Sequence, residues 1–174
     1  MHHTLKFVVD AAPICLMNTA KAWWVVALII LFDQATKLFF LSTLNDGQRI
    51  NVFPFFDFIL LFNTGAAFSF LANHDGWQRW FFVGVGIFAI IVISFLLRRH
   101  QHEPRFMWGL SLILGGAIGN VIDRLIWGHV VDFLLFYYDN WYYPAFNIAD
   151  SAITVGVALI IFDEILKWRS HRKS

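Results

Sequence analysis

The sequence predicts an integral membrane protein of the α-helical class with four transmembrane helices. Of its 174 residues, 59% are hydrophobic and 14% are charged, whereas about a quarter of the residues in a soluble domain are charged. Eight Trp and 20 Phe suit a protein with much membrane interface, because aromatic rings concentrate at the headgroup level. Four apolar segments approach the about 20 residues that a helix needs to cross a bilayer. The length allows one domain.

Residues 1–21 are mixed in character and predict an N-terminal tail. The apolar run that begins at Ala22 is too long for the hydrophobic region of a signal peptide, and no small-residue cleavage site follows it. We therefore predict a first transmembrane helix from Ala22 to about Leu44. Within it, Asp33 and Lys37 are four residues apart, so they share a helix face and can form an ion pair.

The second apolar run, residues 52–71, is long enough for a span but does not have the pattern of one. Pro54 and Gly65 interrupt it, Asp57 lies inside it, and it is rich in Phe and β-branched residues. That composition favours short strands at the membrane surface. We predict a non-spanning β element over about residues 45–71.

Three further transmembrane helices are predicted in the remainder of the chain. They cover Trp80–Leu97, Phe106–Ile126 and Asn147–Trp168. Residues 127–146 return to the surface, where Tyr137, Tyr138, Trp141, Tyr142 and Tyr143 would form an interfacial aromatic belt.

The charge distribution predicts the orientation. Four spans place both termini on one side of the membrane. The basic residues gather at Lys21, 98–105 and 167–173, whereas the opposite loops carry Asp46, Asp57, Asp75 and Asp139. By the positive-inside rule both termini are cytoplasmic. The predicted organisation is a cytoplasmic tail (1–21), one four-helix domain (22–168) and a second cytoplasmic tail (169–174).

The polar residues of the spans are predicted to meet at one depth. At 1.5 Å per helical residue, Asp33 lies about 18 Å beyond Lys21, and Asp150 about 26 Å from Lys167. Asn120, Asp123 and Arg124 lie about 22–29 Å beyond the start of their helix. In a hydrocarbon core of about 30 Å these groups converge on the outer third. Asp132 follows a turn at Gly128 and can stay at that level.

Asp132 and Asp150 are the predicted catalytic pair of an intramembrane aspartyl peptidase. Two carboxylates that share a site do not easily both ionise, so one can activate a water while the other holds a proton for the carbonyl oxygen or the leaving amine. Asp150 begins a helix, whose dipole favours its ionised form. Asp132 is then the protonated partner. The alternative is that these acids are only salt-bridge partners and helix caps, but one arginine does not neutralise three buried acids.

The other polar residues have open or structural assignments. Asn63, Asn120 and Asn147 could orient the carboxylates or could satisfy bent backbone. Arg124 and the Asp33–Lys37 pair are expected to be structural. His74, His100, His102 and His129 are not spaced as a metal site, and no HExxH is present, so we expect neither a metal nor another cofactor. A proton-coupled transporter and a structural subunit are the competing function classes.

Five short motifs lie along the chain in a characteristic order. They are DQATK (Asp33–Lys37), NTGAAFS (Asn63–Ser69), GNVIDR (Gly119–Arg124), HVVDF (His129–Phe133) and FNIAD (Phe146–Asp150). In order and approximate spacing they resemble the bacterial lipoprotein signal peptidases, or signal peptidase II, over about residues 22–168.

This resemblance implies an inner-membrane aspartyl peptidase with four helices, a small extracytoplasmic β-cradle and a periplasmic lid, here about residues 133–146. The expected activity is cleavage of diacylglyceryl-modified prolipoproteins just before the lipidated cysteine, with globomycin-type peptides as inhibitors. The resemblance assigns catalysis to Asp132 and Asp150. It assigns support to the following residues: Asp33, Lys37, Asn63, Gly65, Asn120, Asp123, Arg124, Asn147 and Ala149. We expect a monomer in the membrane lipid that binds no nucleic acid, with its active site towards the periplasm.

Overall fold

The computed structural model describes residues 18–65 and 77–172. Its elements are α1 (Thr19–Thr43), β1 (Arg49–Phe53), β2 (Phe56–Asn63), α2 (Trp77–Arg99), α3 (Pro104–Ile126), β3 (Val130–Tyr138), β4 (Trp141–Tyr142) and α4 (Ile148–His171). The four helices lie within a few residues of the predicted spans. Most of the predicted N-terminal tail and residues 66–71 of the predicted β element lie outside the described residues.

Three of the helices, α1, α2 and α3, are long and apolar enough to cross a membrane. The fourth, α4, has 24 residues but carries three acidic residues, so length and composition do not by themselves identify it as a span. Large apolar side chains are exposed on all of the helices, as on a surface that faces lipid tails; examples are Leu31, Phe88, Ile126 and Phe162.

Helix α3 is the centre of the bundle and contacts each of the other three helices. Its small residues allow this, because the backbones can approach closely where no side chain intervenes. Gly109 faces Gly156 on α4, and a Cβ atom added at Gly109 would lie 2.8 Å from the Gly156 carbonyl oxygen. Gly116 meets the carbonyl of Ala149 in the same way. Helix α3, which carries Asn120, Asp123 and Arg124, is therefore held close to its neighbours.

A four-stranded antiparallel sheet lies at one end of the bundle, with strand order β1-β2-β3-β4. The predicted surface strands are confirmed for β1 and β2, and the turn between them falls at Pro54. Leu60, Val131 and Phe133 pack with Phe40 and Leu44 from the end of α1. The rings of Phe40 and Phe133 are stacked with their centroids 4.4 Å apart. This contact fixes the sheet to the helices.

The sequence did not reveal that β3 belongs to this sheet. Of the predicted lid, residues 134–136 pair with β2 and residues 137–138 pair with β4, and Phe133 and Leu135 are buried. A strand with buried side chains in the middle of a sheet is fixed by its neighbours. Only residues 139–146 of the predicted lid lie beyond β3.

Candidate active site

Asp150 is held at the start of α4 by a reciprocal cap. Asn147 is the N-cap residue, and its Oδ1 accepts a hydrogen bond from the Asp150 backbone N–H at 2.9 Å. In return Asp150 Oδ2 accepts from the Asn147 backbone N–H at 3.3 Å. This is the capping-box arrangement, which satisfies two backbone donors that a helix start leaves free. It leaves the other oxygen of Asp150 for a further partner.

Asp132 lies on β3, opposite Leu61 of β2, and only 2% of its surface is exposed. Asn147 Nδ2 donates to its Oδ1 at 2.8 Å, and Asn63 Nδ2 donates to its Oδ2 at 3.1 Å. Asn63 is two residues beyond Leu61 on β2, so its side chain points to the same face of the sheet. The alternation of the strand thus brings the amide to the carboxylate.

The two carboxylates share one environment. Asn147 bonds to both of them, and Asn120 Nδ2 donates to Asp150 Oδ1 at 2.7 Å. Burial, with a contribution from the neighbouring charge of Asp150, raises the pKa of Asp132 to about 7. A carboxyl with such a pKa is protonated in about half of the molecules at pH 7 and in most of them below it, and the protonated form is the state that an acid catalyst needs.

A buried ion-pair network lies beneath this pair. Lys37 Nζ is 2.8 Å from Asp33 Oδ2 and 2.8 Å from Asp123 Oδ2, and all three residues are nearly inaccessible to solvent. Asp33 accepts from the backbone N–H of Ala149, and Asp123 from that of Val131. Ala149 and Val131 immediately precede Asp150 and Asp132 in the chain. The network is therefore joined to the backbone beside each of the two carboxylates.

Gln34 also belongs to this network, and the sequence analysis did not select it. Its Nε2 donates to Asp123 Oδ1 at 2.8 Å, and it lies 3.2 Å from Asp33 Oδ2 and 3.3 Å from the Gly119 carbonyl oxygen. Gln34 is three residues before Lys37 and so shares its helix face, but that spacing does not reveal its partner on α3.

A cavity of about 280 Å³ opens beside Asp150. Among the described residues, its polar lining comprises Asn63, Asn120, Arg124, Tyr143, Asp150 and Thr154. Val130, Ile153 and residues 144–146 supply an apolar wall. Such a combination of an apolar wall with a few convergent polar groups is typical of a small-ligand or peptide site.

Arg124 connects the cavity to the end of β2. Its guanidinium donates to the carbonyl oxygens of Gly65 at 3.2 Å and Asn120 at 3.3 Å. The Gly65 N–H donates to Asn63 Oδ1 at 3.1 Å, which fixes the amide of Asn63 with its NH₂ towards Asp132. The structure thus brings all eleven predicted site residues into one connected region. The rest of the NTGAAFS motif, residues 66–69, lies outside the described residues.

At the other end of the bundle, a second group of acids carries no sign of catalysis. Glu103, Asp163 and Glu164 converge there within the described part of the chain, and the ammonium group of Lys167 lies among them and pairs with all three. This arrangement ties the end of α4 to the start of α3. Asp163 and Glu164 are thus ion-pair partners at a helix end.

Comparisons with known proteins agree with this geometry. The family model described as "Signal peptidase (SPase) II" matches residues 25–166. A lipoprotein signal peptidase of Burkholderia thailandensis is 55% identical over 145 residues, which cover 83% of this chain and 87% of that protein. The corresponding protein of Burkholderia multivorans is 52% identical, with the same coverage.

Two solved structures are also similar, and each is described as a bacterial membrane enzyme. One, determined by the in meso method at 2.3 Å resolution, has a TM-score of 0.77 and 32% identity, and the match covers 87% of this chain and 91% of that one. The other, at 1.9 Å resolution, has a TM-score of 0.74 and 30% identity, with 82% and 91% covered.

Proposed function

Because this chain belongs to the signal peptidase II family and is therefore a peptidase, we propose that it removes the signal peptide from diacylglyceryl-modified prolipoproteins. Cleavage occurs on the N-terminal side of the lipidated cysteine. The observation that carries the proposal is the pair Asp132 and Asp150, which share Asn147 as a hydrogen-bond partner, with Asp150 lining a cavity that has polar groups and an apolar wall.

In the proposed reaction Asp150 is the base and Asp132 is the acid. Asp150 takes a proton from a water molecule, the water oxygen bonds to the scissile carbonyl carbon, and Asp132 gives its proton to the carbonyl oxygen. Asp150 then protonates the cysteine nitrogen, Asp132 recovers the hydroxyl proton, and the C–N bond breaks. The products are the signal peptide, with a new carboxyl terminus, and the lipidated cysteine with a free amine. Proton transfers by placed side chains of this kind accelerate reactions by about 10²–10⁴-fold.

The remaining site residues act as support. Asn63 and Asn147 orient Asp132 through the hydrogen bonds that they donate to it. Arg124 holds the backbone at Gly65 and thereby one wall of the cavity. Asp33, Lys37 and Asp123 fix the backbone beside the catalytic pair, and Ala149 contributes its N–H to Asp33.

The proposed membrane arrangement makes α4 the fourth span, with both termini cytoplasmic and the site in the outer third of the bilayer. A diacylglyceryl group in the outer leaflet would then bring the scissile bond to the depth of the two acids. Of the predicted lid, Tyr143–Phe146 line the cavity, and we assign any opening to this part. Globomycin-type inhibitors would occupy the same cavity, and the enzyme would work as a monomer.

The test is cleavage of a diacylglyceryl-modified prolipoprotein by the purified protein in detergent. Wild type is compared with Asp132→Asn and Asp150→Asn, and with Asp163→Asn as a matched control at the other end of α4. We expect cleavage before the lipidated cysteine by wild type and the control, and a loss of at least about 10³-fold in both other variants. Normal cleavage by well-folded Asp132→Asn or Asp150→Asn would refute the catalytic pair, and a folded wild type that never cuts would refute the proposed activity.

A further inference from the structure

Asn120 stands between a buried cation and the proposed catalytic pair. Its Oδ1 lies 3.2 Å from Lys37 Nζ and accepts from Asn147 Nδ2 at 3.3 Å. Its Nδ2 donates to Asp150 Oδ1 at 2.7 Å. Asn120 is thus a single amide with a cation at its oxygen and a carboxylate at its nitrogen.

Chemistry fixes the direction of this amide. An ammonium group has only donors, so the atom of Asn120 that faces Lys37 must be the oxygen. The NH₂ group must then face Asp150. A carboxylate that accepts hydrogen bonds is favoured in its ionised form, and a chain of hydrogen bonds polarises its members so that each is strengthened. Lys37 can therefore stabilise the ionised form of Asp150 without touching it.

The net charge of the buried ion-pair network does not stabilise the ionised form of Asp150. Lys37 is paired with Asp33 and Asp123, so the three groups together carry one negative charge. A net negative charge disfavours a further carboxylate nearby. Any stabilisation of ionised Asp150 by Lys37 must come through the local contact with Asn120, because the charge of Lys37 is already more than balanced.

The other charged groups around Asp150 are few. Asp132 faces it from β3 and, when ionised, disfavours its charge. Arg124 lines the same cavity, and its guanidinium is bound to the backbone carbonyls of Gly65 and Asn120. Its positive charge favours the ionised forms of both Asp150 and Asp132, and the charge of Lys37 also favours ionised Asp132. Asp132 itself receives amide donors from Asn63 and Asn147, but neither amide has a described bond to a cation. Of the two carboxylates, and among the described residues, only Asp150 thus accepts from an amide whose oxygen contacts a cation.

We propose that Lys37 is a positioning residue that acts through Asn120 to make Asp150, rather than Asp132, the ionised base of the catalytic pair. This inference rests on the proposed function. It explains why Asp150 is the base and Asp132 the acid, although the two side chains are chemically identical. Asn120 links the two residues. Lys37 holds the amide oxygen on its own side, so the NH₂ group of Asn120 stays directed at Asp150.

The first experiment measures the pH profile of kcat/KM for cleavage of the diacylglyceryl-modified prolipoprotein. The acidic limb of such a profile reports the base of the free enzyme. Asn120→Ala is expected to move that limb to higher pH by about one pH unit, and Lys37→Met is expected to move it in the same direction. Because the two residues act in series, adding Asn120→Ala to Asp33→Asn/Lys37→Met, which keeps the network at one negative charge, should displace the limb no further than Asn120→Ala alone.

Two matched variants separate this role from simple support. Gln34→Ala removes a different bond to the same network and is expected to lower the melting temperature while leaving the acidic limb in place. Lys37→Met leaves two buried carboxylates unpaired and could fail to fold. Asp33→Asn combined with Lys37→Met keeps the network at one negative charge, and it should displace the limb like Asn120→Ala.

A substrate-free readout distinguishes failure of this inference from failure of the proposed function. Infrared difference spectra between the wild type and Asp150→Asn follow protonation of the Asp150 carboxyl group in the purified protein. Protonation of Asp150 should occur at higher pH in Asn120→Ala than in wild type, whether or not the protein cleaves prolipoprotein. An unchanged titration in Asn120→Ala, or displacements of Asp33→Asn/Lys37→Met and Asn120→Ala that add, would overturn the relay.

Discussion

Asp33 Oδ1 accepts a hydrogen bond from the backbone N–H of Ala149 at 2.9 Å, across 116 residues of sequence. Asp123 makes the equivalent bond to the N–H of Val131 at 3.1 Å. Each of these aspartates therefore holds the residue that immediately precedes a proposed catalytic aspartate. Lys37 lies between them, so a single buried cation determines the separation of the two backbone segments.

Replacing Asp33 should affect folding more than chemistry. Asp33→Ala removes one of the two carboxylate partners of Lys37 and leaves the N–H of Ala149 unsatisfied. Breaking a buried ion pair on one side costs about 3–5 kcal/mol, so we expect a large fall in folded yield and melting temperature. The measurement is cleavage per folded molecule, with the folded fraction determined by size-exclusion chromatography. Normal stability with abolished turnover would instead make Asp33 catalytic.

Asn147 should contribute to both stability and catalysis, and Asn18 provides a matched control. Both are N-cap residues whose side chain accepts a backbone N–H three residues on, Lys21 N for Asn18 and Asp150 N for Asn147. Loss of an N-cap costs about 1 kcal/mol. Only Asn147 also donates to Asp132.

We expect Asn147→Ala to lower the melting temperature more than Asn18→Ala, because Asn147 is buried and its amide also bonds to Asp132, Asn120 and Val131. Only Asn147→Ala should reduce kcat, by about 10²-fold, because it also removes one of the two donors that position Asp132. Thermal unfolding and steady-state cleavage on the same samples measure both effects. Equal loss of cleavage in both variants would mean that Asn147 is merely a cap.

The pKa of Asp132 predicts the pH dependence of stability. Burial raises this pKa to about 7, above its value in the unfolded chain, so the folded state binds the proton more tightly. The favourable contribution is complete below the unfolded pKa and is lost as the pH rises through about 7. Asp132→Asn removes the titrating group, and it should be more stable than wild type at pH 8 by about 2 kcal/mol or more.

The advantage of Asp132→Asn should diminish as the pH is lowered towards 5. Denaturation midpoints of both proteins at pH 5 and pH 8 in the same detergent measure it. A difference that does not change between these pH values would show that Asp132 is ionised throughout. Cleavage by wild type should also decline above pH 7, because the proposed acid then loses its proton.

The helices and the clustering of the candidate site residues could be predicted from the sequence, whereas the sheet could be predicted only in part. Apolar length identified α1, α2 and α3 within a few residues, and isolated polar residues at similar depth pointed to the region around Asp150. The pairing of β3 with β2 could not be predicted from the sequence. Residues 130–138 form an apolar, aromatic run, and the strand that they pair with lies about 70 residues earlier in the chain. Period and composition describe a strand's own faces but not its neighbour.

The role of Gln34 in the ion-pair network could not be predicted for a related reason. An isolated neutral polar residue on a transmembrane helix does not indicate which helix it faces, and its partner Asp123 lies 89 residues away. A charged residue in an apolar span indicates a polar site or a partner, because its burial in the membrane is costly. A glutamine costs less, so its place in the network became visible only with the packing of α1 against α3.

The close approach of α1 and α3 depends on Gly119, and Gly84 on α2 offers a matched control. A Cβ atom at Gly119 would lie 2.5 Å from Asp33 Oδ2, whereas one at Gly84 would have no atom within 4 Å. Alanine favours a helix over glycine by about 1 kcal/mol, so Gly84→Ala should be neutral or stabilising. Gly119→Ala should instead displace the Asp33 carboxylate from Lys37 and Ala149, because both helix backbones are held by their neighbours.

We expect Gly119→Ala to lower the melting temperature and to reduce cleavage per folded molecule at least about tenfold, since a misplaced catalytic backbone is costly. Gly84→Ala should keep wild-type cleavage. The two variants differ in the position of one methyl group, so thermal unfolding and cleavage of both, in one detergent, isolate the effect of the contact with Asp33. Wild-type stability in Gly119→Ala would mean that the Asp33–Lys37 pair tolerates displacement and is not what holds α4 in place.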